Sequence, residues 1–159
     1  MTSRNLGNLI RISVIAVAIS GLFLCFYVIP IWGRSIISAN PEFTHWFLPW
    51  LIFTWVVALP CFAVLIYIWK VSGAVIQETV FTDITAKWVR LGAILLMADA
   101  ALVFLGNVVL FMLNMNHPGL LLVCILGDIF VVALALLAAV LSRYITKAAV
   151  LQEESEGTL

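Results

Sequence analysis

Four long apolar runs, none with a Lys or Arg in its interior, constrain this chain more than any other feature of its sequence. They cover about 9–31, 46–69, 91–114 and 119–141. A helix needs roughly 20 apolar residues to cross a hydrocarbon layer about 30 Å thick, and each run is that long. A membrane-barrel strand is about 10 residues of alternating character, whereas these runs are continuous. Every backbone polar group in lipid must find a partner within the protein, which leaves the α-helix. The expected fold is an all-α integral membrane protein, an antiparallel four-helix transmembrane bundle. It is one membrane domain over 1–159, with both termini inside and helical extensions into the cytosol. Residues 142–159 form a cytosolic C-terminal helix and acidic tail.

Composition agrees: 65% of the residues are hydrophobic, 10% are charged, and the mean hydropathy is +1.20. That is too little charge to wet the surface of a soluble domain of this length. A formal net charge of zero gives no general basis for binding nucleic acid directly. The first run exceeds the roughly 7–15 apolar residues of a signal peptide, and Ile37-Ser38-Ala39 is a poor cleavage site, so a retained span is expected. The ending Glu156-Gly157-Thr158-Leu159 is neither a prenylation box nor a retention signal.

Orientation follows from where the cations fall. With the N-terminus inside, Arg4, Arg11, Lys70, Lys87, Arg90, Arg143 and Lys147 all lie on the cytosolic side and Arg34 alone on the other. Positive charge in short loops stays inside. The aromatic belts match, with Trp32, Trp46 and Trp50 outside and Trp69 and Trp88 inside. Trp55 fits neither belt and is expected to face lipid or a neighbouring helix. The implied location is a bacterial cytoplasmic membrane, crossed several times.

The connections differ in character. Asn40-Pro41 signals a turn, and Pro41 can open a short helical turn. Met115 to Pro118 is a tight connector that makes the last two spans antiparallel neighbours. In the cytosolic loop, Ser72 to Glu78 can prolong the second helix, and Thr82 or Asp83 suits the N-cap of the third. Ile84, Trp88 and Leu91 share one face of that helix start, as Tyr144, Ala148 and Leu151 do in the tail, ahead of Glu153, Glu154 and Glu156.

Two carboxylic acids, Asp99 and Asp128, sit where hydrocarbon is expected, at a cost of about 2.5–3.5 kcal/mol each on insertion scales. At 1.5 Å per residue their heights in the membrane differ by only several ångströms, so they are able to approach. Gly92, Asp99 and Gly106 recur every seven residues, with Asn107 and Asn114 close to that stripe. Cys124, Asp128, Ala135, Ala139 and Ser142 share a face of the fourth span, and Ser13, Ser20 and Tyr27 repeat in the first. Small residues permit close helix approach and polar ones bond across it, so the three stripes are expected to meet in a polar seam. No intramembrane cation neutralises the two acids, so each is expected to be protonated or to share a proton, water or cation. A structural hydrogen bond, a proton or cation relay, and a polar ligand site all remain open.

Pro60 removes an amide hydrogen midway along the second span, so a kink, and with it a candidate hinge, is expected there. His45 and His117 lie at the outer surface, where solvated loop histidines are the commoner case than a joint metal or pH-sensing role. Cys25, Cys61 and Cys124 have no metal-ligand spacing and read as reduced packing residues, with a Cys25–Cys124 disulfide as the alternative. No phosphate-binding loop, zinc-protease motif, nucleophile elbow or dinucleotide fingerprint occurs, so no catalytic residue, metal or cofactor is assigned and no enzyme is expected.

A family resemblance rests on Asn40-Pro41-Glu42-Phe43, Pro49, Leu59-Pro60, Phe81 ahead of Lys87-Trp88-Val89-Arg90, and the acidic ending 148–159. In these the chain resembles the YoaS-like bacterial four-span membrane proteins, a family of unknown function. The resemblance implies four spans and no established activity. It also implies a role beside a small Cro-like helix-turn-helix regulator, often encoded next door, as its membrane partner or sensor. Asp99 and Asp128 match no motif of that family.

The expected function is thus a membrane sensor or anchor. Its cytosolic surface of Glu78, Asp83, Lys87, Glu153 and Glu154 would hold a small helix-turn-helix transcription regulator, and two bundle states hinged at Pro60 would carry the signal. The alternative is a proton- or cation-coupled small-solute transporter built on the intramembrane carboxylates, as a homodimer because four spans make a thin pathway.

Overall fold

The structure, a computed structural model, describes residues 2–116 and 118–157. Four helices are long and apolar enough to cross a membrane. The first is α1 (Ser3–Phe23), continued through a π-helical turn (Leu24–Val28) into α2 (Ile29–Ala39). A 3-10 turn (Pro41–Trp46) then leads into α3 (Phe47–Ile76), followed by α4 (Asp83–Met112) and α5 (Pro118–Gly157). Helices of 30 to 40 residues are about 45–60 Å long, well beyond a ~30 Å hydrocarbon core, so each extends past it.

The helix ends have local causes. Pro41 opens the 3-10 turn, where its missing amide hydrogen is no loss. Thr82, in extended conformation, caps α4 by accepting from the Thr85 amide at 3.3 Å, and its hydroxyl lies 3.0 Å from that of Thr85. Glu78 (φ 58°) and Asn114 (φ 54°) adopt the left-handed conformation just past the ends of α3 and α4. Pro60 lies inside α3, which continues through it as one helix.

The π turn has a sequence cause too. The Ile29 amide bonds back to the Leu24 carbonyl, five residues away. Pro30 has no N–H, so no backbone donor in register is left for the Cys25 carbonyl. The indole of Trp55 on α3 supplies one, donating at 3.1 Å. Trp55 therefore turns out to hold a neighbouring helix.

The spans pack in chain order. α1 lies on α3, α3 on α4 and α4 on α5, and among the described residues α1 touches neither α4 nor α5. The antiparallel bundle is consequently open along one side. Its accessible surface, 10828 Å², exceeds the ~7,900 Å² expected of a compact soluble monomer of 17.6 kDa. The excess is the apolar surface that faces lipid.

Small side chains mark the buried faces. On α4, Thr85, Gly92 and Asp99, and beside them Ala86, Ala93, Ala100 and Asn107, recur at seven residues and are buried. Asp128, Ala135, Ser142 and Ala149 answer them on α5, with Ala135 only 1% exposed. A seven-residue repeat keeps one seam turned to its partner, and small residues let the backbones close. The large residues expected to mark faces point outward instead: Ile84, Leu91, Tyr144 and Leu151 are all exposed. The buried positions are small ones, Ala86, Ala93, Ala135 and Ala149, so packing follows smallness rather than apolarity.

Candidate functional site

Register brings the two intramembrane acids level. The Ser142 hydroxyl donates to the Ala86 carbonyl at 2.8 Å and sets α5 against α4. Fourteen residues along α4 from Ala86 is Ala100, and fourteen back along α5 from Ser142 is Asp128. Asp128 therefore stands level with Asp99 on the neighbouring helix. Asp99 is 6% exposed, and its Oδ2 accepts from the Cys61 thiol of α3 at 3.0 Å. Its Oδ1 and the Oδ2 of Asp128 are buried without a hydrogen-bond partner. The sequence suggests no more than a packing role for Cys61, whereas the structure gives its thiol a specific partner on α4.

Not every residue expected in this seam is there. Asn107 is buried on α4, as are Gly92 and Asp99. Asn114 is exposed in the turn after α4, because its positive φ ends the helix before its stripe is completed. Ser13, Ser20 and Tyr27 are also exposed. The face α1 turns to α3 carries Gly7, Gly21 and Cys25 instead, with Gly7 and Gly21 admitting the side chains of Ile76 and Phe62. Cys25 and Cys124 are free thiols on spans that do not touch among the described residues.

The two ends of the molecule differ. At the terminal end, which carries the start of α1, the 77–82 turn and the end of α5, the helices are tightly packed. Ser72 and Thr85 are almost wholly buried there, with Ala74, Ile145 and Ala149. Arg11 reaches from α1 to the Ser72 hydroxyl at 3.3 Å and lies over the Trp69 ring at 5.0 Å. Lys70 faces both Tyr67 and Trp88, and Lys147 faces Tyr144, so this end wears a girdle of cations on aromatic rings. Beyond it Asp83, Lys87, Glu153 and Glu154 are exposed. Glu78 is committed, since its carboxylate accepts from the Ser3 hydroxyl at 2.7 Å and ties α1 to the turn.

At the opposite end the helices part around two adjoining cavities. One, of about 360 Å³, lies between α3 and α4 and is lined by Phe53, Leu102, Gly106 and Val109 among others. The second, of about 570 Å³, lies between α2, the 3-10 turn and the α4–α5 turn, with Asn40, Phe43, Asn114 and Asn116 in its wall. Trp46, Trp50 and Met115 belong to both. Such volumes are in the range of small-molecule sites. Sequence reasoning missed this region, because its residues come from separated segments that only the fold brings together. His45 is exposed nearby, its ring tilted against that of Trp46 with centroids 5.4 Å apart, while His117 lies outside the described residues. Among the described residues no cluster of His, Cys, Asp or Glu has the makings of a metal site.

Four antiparallel apolar spans, small-residue seams and interfacial aromatics define a multi-pass α-helical membrane protein. The chain belongs to the family described as "Protein of unknown function (DUF2975)", whose model matches residues 32–159. Neither a curated protein nor a solved structure matches it.

Proposed function

We propose that the chain is a membrane sensor and anchor, of the YoaS-like group, in a bacterial cytoplasmic membrane. Its terminal end faces the cytosol and holds a small helix-turn-helix regulator; it performs no catalysis itself. One observation carries the reading: the charged terminal end closes on buried Ser72 and Thr85, whereas at the other end two cavities open beside the close contacts of Phe47 and Phe53. A ligand that draws α2, α3 and α4 together at the open end changes the spacing of helices whose far ends carry Asp83, Lys87, Glu153 and Glu154. The cation girdle supports the cytosolic assignment of that end, because positive charge is retained inside. The test is co-purification of the neighbouring regulator from membranes, with charge reversal at Lys87, Glu153 and Glu154 expected to release it. Failure to co-purify, with unchanged expression from the regulator's promoter in a deletion strain, overturns the reading.

Cation-coupled transport is the second reading, favoured by the unpartnered oxygens of Asp99 and Asp128. Proteoliposome flux that is abolished by Asp99→Asn and Asp128→Asn supports it; flux indifferent to both removes it.

A further inference from the structure

The larger cavity has a polarity that its hydrogen bonds fix. The Asn107 Nδ2 donates to the Val103 carbonyl at 2.9 Å, and a backbone carbonyl can only accept. The Asn107 Oδ1 is therefore the free acceptor, and it takes the Asn116 Nδ2 at 2.9 Å. That leaves the Asn116 Oδ1 as an acceptor, buried and without a partner. Asn40, on the opposite wall, likewise gives its Nδ2 to the Ile36 carbonyl at 3.0 Å and keeps its Oδ1 free of that bond. Side-chain amides are usually ambiguous about which end points where, but here both are oriented by backbone carbonyls. A buried acceptor left unmatched costs stability until a donor arrives.

Apart from these amides and that of Asn114 the lining is aromatic and aliphatic, and no charged side chain belongs to it among the described residues. The adjoining apolar cavity continues it through Trp46 and Trp50 into the α3–α4 interface. We infer that this end is a binding site for a neutral amphiphile. Its hydroxyl or amide N–H head is received by Asn116 in the larger cavity, and its hydrocarbon chain is laid against Trp46, Phe53 and Leu102 in the smaller one. Without a carboxylate in the lining, an ammonium head has no counter-charge. A carboxylate head meets the unmatched Asn116 acceptor and, among the described residues, no cation. The inference rests on the sensor reading for its purpose but not for its chemistry.

The test is photo-crosslinking of the full chain in lipid nanodiscs, with a twelve-carbon alcohol carrying a chain diazirine as the probe. Its methyl ether, carboxylic acid and primary amine are the comparisons. The alcohol is expected to label peptides holding Phe43 to Phe53 and Leu102 to Met115, roughly 3- to 10-fold more than the ether, as one hydrogen bond implies. Asn116→Leu should erase that preference. Asn107→Leu should reduce it toward unity, because the freed Asn116 amide can turn and offer its NH₂ to the ether. Equal labelling by alcohol and ether, stronger labelling by the amine or acid, or label spread over the lipid-facing Leu122, Leu126 and Phe130 would each overturn the assignment. Should Asn107→Leu fail to fold, Asn116→Leu decides alone. Capture of the regulator is scored separately. Specific labelling without any change in capture refutes the signalling role and leaves the site standing. Unselective labelling with intact capture refutes only the site.

Discussion

Trp55→Phe tests the join between the first two spans, because its effect should depend on Pro30. The Cys25 carbonyl has lost both in-register backbone donors, one to the π turn and one to proline, and the Trp55 indole stands in at 3.1 Å. Interhelical side-chain bonds in membranes average only about 0.6 kcal/mol and reach about 1.7, since the undocked helices usually find other partners. Here the undocked first helix keeps the same proline and the same orphan carbonyl, so little competes with Trp55. A loss near the upper figure, about 1–2 kcal/mol, is expected, plus a few tenths for the narrower ring against Phe26, whose ring centroid lies 5.6 Å away. Pro30→Ala restores an N–H that can serve the carbonyl from its own helix. In that background Trp55→Phe should cost only the packing share, giving a coupling energy of about 1 kcal/mol or more. Reversible unfolding in mixed micelles, followed by far-UV circular dichroism, measures all four corners of the cycle. Additivity within about 0.5 kcal/mol would refute the carbonyl account of both residues.

Other perturbations have equally direct expectations. Gly106→Leu puts a side chain where the Phe53 ring lies and should destabilise by about 1–3 kcal/mol, with Phe53→Ala restoring part of the loss in the same unfolding assay. Ser142→Ala removes the buried bond to the Ala86 carbonyl; a cost of about 0.6 kcal/mol, and at most about 1.7, should appear as faster amide exchange at the terminal end of α4 and α5. Thr82→Ala should cost about 0.5–2 kcal/mol and fray the first turn of α4, visible as lost protection of the Thr85 amide, with Thr82→Ser restoring it. Asp99→Asn keeps an acceptor for the Cys61 thiol and adds a donor toward Asp128, so the fold should survive it. Asp99→Leu should loosen α3 from α4 by about 0.6 kcal/mol, read as faster alkylation of Cys61.

Composition, run length and charge placement by themselves determined the four spans and their antiparallel course, because lipid leaves a backbone no other way to bond. The α4–α5 seam was legible as well: Gly92, Asp99, Ala135 and Ser142 stand out because small and polar residues are conspicuous in an apolar run. The first span misled for the same reason. Ser20 satisfies the same heptad spacing, yet a Ser hydroxyl can bond within its own helix and so need not face a partner. Which stripe is buried is decided by the neighbour, and among the described residues the first span packs on α3 alone of the other spans, through Gly7, Gly21 and Cys25. Asn114 lost its place to a backbone event, the left-handed turn that ends α4. Only the tertiary structure decided the open order of the spans, the meeting of Cys61 with Asp99, and the oriented amides of Asn107 and Asn116 beside the cavity. Each joins residues distant in sequence through register and rotation. A hydrocarbon solvent, indifferent to which apolar face a helix shows it, leaves both quantities unwritten in the periodicity.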